Sequence, residues 1–277
     1  MGKKKISIPE LKGMKVSGQK FKMFTVYDFP MATMVDRSPA ELILVGDSLG
    51  MVIQGHDSTV PVNLEDVLYH VKIVRKGAPN TFVVGDMPFL SYQVNRDEAI
   101  RNAGTLLKVG ADCVKMEGGV KIAETMRAVV DAGIPVMAHI GLTPQTAAML
   151  GGFKVQGKNA ASAEKLLQDA LAVEEAGAFA IVLECIPTAL AQLIDQKVTI
   201  PTISVGAGPF TTGFNLNAYD LLGIFDKFVP KFVIQYAQMG KDIVNVFDTW
   251  CKDIDEGSYP APEHGFAMND EDLKRLY

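Results

Sequence analysis

Cysteine is scarce in this sequence. Of its 277 residues only Cys113, Cys185 and Cys251 are cysteines. Three widely separated thiols exclude a disulfide framework and a cysteine-based zinc site. Long apolar runs are absent as well. No stretch reaches the ~18 residues free of charge and proline that a membrane-spanning helix requires, so no span is expected. The start, MGKKKISIPEL, is basic but lacks the apolar core of a signal peptide, and Ile6 stands where a myristoylation signal has Ser or Thr. The expected location is therefore cytoplasmic. Nor does one sign of charge dominate. With 27 Lys and Arg against 32 Asp and Glu, interspersed, there is no electrostatic footprint for nucleic acid or an anionic membrane. Several catalytic signatures are missing too: no G-x-S-x-G elbow, no H-E-x-x-H, no Walker loop, and no G-x-G-x-x-G after the first strand.

What is present suits one large globular unit. A 48% hydrophobic content can fill a sizeable core, and no Gly/Ser/Pro-rich linker divides the chain, so residues 1–277 are expected to form one domain. Its expected partners are small molecules or copies of itself. Short apolar runs bounded by turn residues recur as KMFTVYD, ELILVGD, TFVVGDMP, CVKMEGG, PVMAHIG, AFAIVLEC and TISVGAG. None alternates cleanly, so they read as strands buried on both faces of a parallel sheet. Helical patterns lie between them. Asn63 with Asp66, and Asn95 with Glu98, are capping-box arrangements, while Gly110, Gly133 and Gly177 mark helix ends that pass almost directly into strands. A weaker eighth strand is expected near Lys231 to Ile234. Together these elements predict a (β/α)8 TIM barrel, with SIPELKGMKV as an extra N-terminal helix plugging its bottom and MNDEDLKRLY as a peripheral helix or tail.

The strand ends carry the chemistry. Asp28, Asp47, Asp86, Glu117 and Glu184 close five of the seven runs, and His139 closes another. In a barrel these ends converge on the face that holds the active site. Lys115 and Glu117, two apart on one strand, point to the same side. Lys115 is either the salt-bridge partner of these acids or, if the oxygens hold a hard divalent cation of the magnesium type, a grip for a substrate anion. Gly206-Ala207-Gly208 reads as a tight turn, His56 as part of a long loop over the site, and His70 as a structural residue on a helix face.

The blocks VGDSLGMVIQGHDSTVPVNLEDVLYH, VVGDMPFLSY, DCVKMEGG, PVMAHIGLTPQ, GGFKVQG and AIVLEC, in this order, resemble the ketopantoate hydroxymethyltransferase family. The likeness runs from about Ile8 to Phe266. It implies a (β/α)8 barrel transferring a one-carbon unit from 5,10-methylenetetrahydrofolate to 3-methyl-2-oxobutanoate, giving 2-dehydropantoate for pantothenate biosynthesis. It further implies Asp47 and Asp86 as magnesium ligands and as substrate contacts. Glu117 would hold the metal directly or through water, Ser48 and Lys115 would contact the keto acid, and Glu184 would accept the proton, with His139 as an auxiliary residue. A homo-oligomer, a decamer, is implied by the same kinship. The alternative is a metal-dependent aldolase or lyase acting on another 2-oxo acid without folate. The K-R-C-G-H-type loop expected of the phosphoenolpyruvate mutase and isocitrate lyase group is absent. This sequence departs from the resembled pattern at Asp36–Ala40 and at Thr212-Gly213-Phe214, with Asn215 and Asn217 in usually aliphatic places, which bears on the shape of the one-carbon donor side.

Overall fold

Strands buried on both faces need helices to cover them, and the chain alternates strand and helix as far as the seventh strand. The computed structural model describes residues 3–277. Eight strands form a closed, wholly parallel ring: β1 (Phe21–Thr25), β2 (Leu42–Val45), β3 (Phe82–Asp86), β4 (Cys113–Glu117), β5 (Val136–Gly141), β6 (Ala180–Glu184), β7 (Thr202–Val205) and β8 (Gly213–Asn217). β8 closes the ring by pairing with β1, Phe21 opposite Gly213. That approach requires a glycine, because a Cβ at Gly213 would stand 2.3 Å from the Phe21 ring.

The helices are α1 (Ile8–Ser17), α2 (Phe29–Arg37), α3 (Leu49–Val52), α4 (Leu64–Gly77), α5 (Arg96–Lys108), α6 (Ala123–Asp131), α7 (Ala160–Glu175), α8 (Thr188–Lys197), α9 (Ala218–Leu221), α10 (Met239–Asp255) and α11 (Asp270–Lys274). The caps behave largely as the sequence predicts. Asn63 and Asp66 form a full capping box, whereas Asn95 accepts from the Glu98 amide without the reciprocal bond. Gly110, Gly133 and Gly177 all adopt positive φ.

The period of two along each strand sorts the core. Outward residues such as Val114, Met116 and Ile181 pack under the helices, while inward residues such as Phe21, Met23, Leu42, Phe82, Cys113 and Met137 fill the lower barrel. Leu11 and Met14 of α1 join this inner cluster, so the extra helix plugs the bottom as expected. Burying polar groups there would be costly, and the polar inward residues are reserved for the top layer.

Three expectations need correction. The eighth strand is not Lys231 to Ile234, which lies outside any strand, but Gly213–Asn217. Its inward positions are Asn215 and Asn217, so it lacks the apolar run that reveals the others. The apolar look of the later stretch comes instead from Phe232, which lines the barrel mouth and packs against Gly206. The first strand ends at Thr25, and Asp28 is the N-cap of α2, its Oδ1 accepting from the Met31 amide at 2.8 Å. Asp28 therefore leaves the strand-end acids. Asp47 lies two residues past the end of β2, in the turn that leads to α3.

After β8 come the short α9 and then α10, none of whose residues is buried. Ile243, Val246, Phe247, Trp250 and Ile254 recur at helical spacing and are all exposed. Among the described residues no helix is long and apolar enough to cross a membrane.

Candidate active site

The upper layer of the barrel is built from the last inward residue of successive strands. Register places Asp86 opposite Lys115 and Glu117 opposite His139, and Glu184 pairs with Gly141 beside them. They line a cavity of about 210 Å³ together with Asp47, Ser48, Thr25, Asn215 and Asn217. Asp47, Asp86, Lys115, Glu117 and His139 are all buried. Glu184 is the more open acid, its side chain 17% exposed against 1% for Asp86.

Lys115 is the hub of the cluster. Its Nζ stands 2.8 Å from Asp86 Oδ1, 3.2 Å from Glu117 Oε1 and 3.3 Å from His139 Nδ1. His139 bridges two acids, with Nδ1 3.2 Å from Glu117 Oε1 and Nε2 3.2 Å from Glu184 Oε2. The Asp47 backbone N–H donates to Asp86 Oδ2 at 3.0 Å, which draws the two aspartates together.

The electrostatics follow from this crowding. Burial raises the Asp47 carboxyl well above the ordinary range, and repulsion from Asp86 and Glu117 adds to it. Burial also raises Asp86, against the pull of Lys115. For Glu117 the balance reverses: burial works to raise it, but Lys115 and His139 prevail and hold it down at about 2. Burial and Lys115 both oppose a charged imidazole at His139, yet Glu117 and Glu184 hold its pKa up at about 9. Burial would strip the proton from Lys115, and the surrounding carboxylates more than restore it.

The donor set fits a divalent cation. Asp86 Oδ1 and His139 Nε2 complete no hydrogen bond despite the charged groups near them, and both are buried. Two adjacent carboxylates whose repulsion resists ionisation gain most from a cation between them. Among the described residues no three His, Cys, Asp or Glu side chains form a ready cage. The adjacent Asp47 and Asp86 carboxylates are the kind of ligand that suits magnesium, which is held by one or two carboxylates and keeps positions for water and substrate.

One residue had a visible motif but no assigned role. Gln145, in the quoted GLTPQ, is buried; its Nε2 donates to Asp47 Oδ2 and to the Met87 carbonyl, each at 2.9 Å. Its backbone N–H donates to Glu117 Oε2 at 3.1 Å, and its Oε1 accepts from the Tyr92 hydroxyl at 2.7 Å. It ties two acids of the site to one loop. A polar side chain directly after a proline at a strand end was the available signal. His70 is structural as read, its Nδ1 2.6 Å from the Tyr27 carbonyl oxygen. The exposed His56 does not line the cavity. The Gly206–Gly208 turn already commits the Ala207 amide to Ser204 Oγ at 3.1 Å.

Comparison with known proteins identifies the family. The family model described as ketopantoate hydroxymethyltransferase matches residues 5–262. The chain is 57% identical over 275 residues to the 3-methyl-2-oxobutanoate hydroxymethyltransferase of Heliobacterium modesticaldum, covering 99% of each chain. It is 46% identical over 274 residues to the enzyme of that name from Clostridium botulinum, covering 99% of this chain and 100% of that one. Among solved structures, phosphonopyruvate hydrolase superposes with a TM-score of 0.62 at 12% identity, covering 99% of this chain and 94% of that one. For 2,3-dimethylmalate lyase, a PEP mutase/isocitrate lyase superfamily member, the values are 0.58 and 14%, with 97% and 94% covered. At such identities these two show the barrel alone, whereas the family match and the curated relatives span nearly the whole sequence: the chain belongs to the ketopantoate hydroxymethyltransferase family.

Proposed function

We propose that the strand-end cluster carries out the transfer of a hydroxymethyl group to 3-methyl-2-oxobutanoate, with 5,10-methylenetetrahydrofolate as the one-carbon donor. The observation that carries this reading is the convergence of Asp47, Asp86, Lys115, Glu117, His139 and Glu184 on one cavity at the barrel top. Asp47 and Asp86 would hold a magnesium ion, with Glu117 holding it directly or through water. When bound, the cation supplies a Lewis acid for the carboxylate and keto oxygens of a 2-oxo acid.

The chain's own groups do the rest. Lys115 offsets the negative charge that the substrate brings to the acids. Ser48, at the cavity wall, contacts an oxygen of the keto acid. Glu184 takes the proton from C3 of the substrate; as the least enclosed of the acids, it can reach a carbon in the cavity. His139 Nε2, 3.2 Å from Glu184 Oε2, stands as an electrostatic partner to that carboxylate. C3 then bonds to the methylene carbon of the donor as both of that carbon's C–N bonds break; water supplies the hydroxyl oxygen of the product, and tetrahydrofolate leaves with the C3 proton and one proton of the water on its two nitrogens. Phe153, Phe225, Phe228 and Phe232 line the cavity mouth, and flat apolar walls of this kind suit a pteridine ring.

The amphipathic α10, wholly exposed in one chain, supports the homo-oligomer: a second copy would cover its apolar stripe.

The test is an assay of purified protein with magnesium, 3-methyl-2-oxobutanoate and methylenetetrahydrofolate. 2-Dehydropantoate should form and should fail to form when the folate is omitted. Folate-independent cleavage of another 2-oxo acid, without 2-dehydropantoate formation, would favour the lyase alternative.

A further inference from the structure

Behind Ser48 runs a short chain of hydrogen bonds whose direction is fixed from its far end. Asn217 is the last residue of β8, and its Oδ1 accepts from the backbone N–H of Tyr219 at 3.1 Å. A backbone N–H can only donate, so the amide oxygen must face it and the amide nitrogen must face the other way. That Nδ2 donates to Tyr27 Oη at 2.7 Å, and Tyr27 Oη lies 2.7 Å from Ser48 Oγ.

The proton of Tyr27 then has one destination. Tyr27 is fully buried, and burial keeps its phenol protonated. The Asn217 nitrogen accepts nothing. Among the described residues, Ser48 Oγ is the one acceptor within hydrogen-bond distance of the Tyr27 hydroxyl. A buried hydroxyl proton left unpaired costs about 1–3 kcal/mol, so Tyr27 donates to Ser48. The hydroxyl proton of Ser48 is thereby released from Tyr27 and turns to the cavity that Ser48 lines.

We propose that Asn217 and Tyr27 are positioning residues that preset Ser48 as a hydrogen-bond donor to an oxygen of the 2-oxo acid. The proposal rests on the reading of Ser48 as a substrate contact. Without the amide donor, Ser48 and Tyr27 could exchange donor and acceptor roles, and part of the population would present a lone pair to an anionic substrate. Tyr27 is held in place on its other side. Its ring centroid is 5.6 Å from that of Tyr219, whose hydroxyl donates to Asp28 Oδ2 at the N-cap of α2. The relay thus joins the ends of β1, β2 and β8. An aliphatic side chain at 217 could not donate to Tyr27 Oη.

Steady-state kinetics on Ser48→Ala, Asn217→Val and the double variant test this. Asn217→Val should raise KM for the keto acid about 2–10-fold, the range for one hydrogen bond, with KM for the folate and kcat little changed. In the Ser48→Ala background the same substitution should add nothing. Tyr27→Phe is nearly isosteric, and if Asn217→Val fails to fold it provides the same comparison with Ser48→Ala. Effects that multiply with that of Ser48→Ala, when Ser48→Ala itself raises KM for the keto acid, would overturn the relay alone. A Ser48→Ala variant with unchanged keto-acid KM would overturn the substrate contact and the relay with it.

Discussion

Lys115 Nζ lies 2.8 Å from Asp86 Oδ1, an ion pair buried among acids at the top of the barrel. The pair joins the two readings of this lysine that the sequence left open. It neutralises the acids in the free protein, and the same cation remains available to a substrate anion that enters among them. Lys115→Met keeps the stem and removes the charge. Breaking one partner of a buried pair leaves an uncompensated carboxylate, so a loss of about 3–5 kcal/mol in denaturant unfolding is expected. KM for the keto acid should rise as well, with less effect on KM for the folate. A stability loss with both constants unchanged would reduce Lys115 to a structural partner.

Asp47 should behave in the opposite sense. Its carboxyl is raised by burial and by neighbouring acids, so its charge opposes folding when no cation is bound. Asp47→Asn keeps an oxygen to accept from Gln145 while removing that charge. In a chelator the variant should melt at a higher temperature than the parent, yet calorimetric titration should show magnesium affinity largely lost. Unchanged affinity would remove Asp47 from the metal set.

A pH dependence is expected at Asp220, part-buried at the cavity mouth, where burial pushes its carboxyl up to about 6. The folded protein therefore binds this proton more tightly than the unfolded chain does. The resulting stability is fully present below about pH 4 and is lost as pH rises through about 6. Asp220→Asn should raise the melting temperature at pH 8 and leave it unchanged near pH 4. Equal effects at both values would contradict the assignment.

The barrel was legible because burial on both faces leaves seven apolar runs, and because glycine caps such as Gly110, Gly133 and Gly177 mark where helices turn into strands. The eighth strand was hidden by its polar inward residues: Asn215 and Asn217 face the cavity and break the run. Asp28 misled for a related reason, since an N-cap following a strand has the same local sequence as a strand-end acid. Most of the site was visible as carboxylates at strand ends. The bonds that Gln145 and Tyr27 make were not, because they join segments 98 and 21 residues apart. No local pattern encodes such contacts.

The exposed stripe on α10 predicts self-association. Phe247→Glu with Trp250→Glu should convert the assembly to a smaller species, read by light scattering after size exclusion, while leaving the helical circular dichroism of the barrel in place. A parent protein that is monomeric at assay concentration would contradict the homo-oligomer.

Solvent exchange at C3 of 3-methyl-2-oxobutanoate tests the central claim most directly, since it isolates proton abstraction from one-carbon transfer. With magnesium in deuterated water, proton NMR should show the parent enzyme washing out the C3 proton without a complete folate substrate. Glu184→Gln keeps the size and an acceptor oxygen but cannot take the proton, and exchange should slow by roughly 10²–10⁴, as for a positioned general base. Exchange at the parental rate in Glu184→Gln would assign the proton to another group and contradict the account of the site.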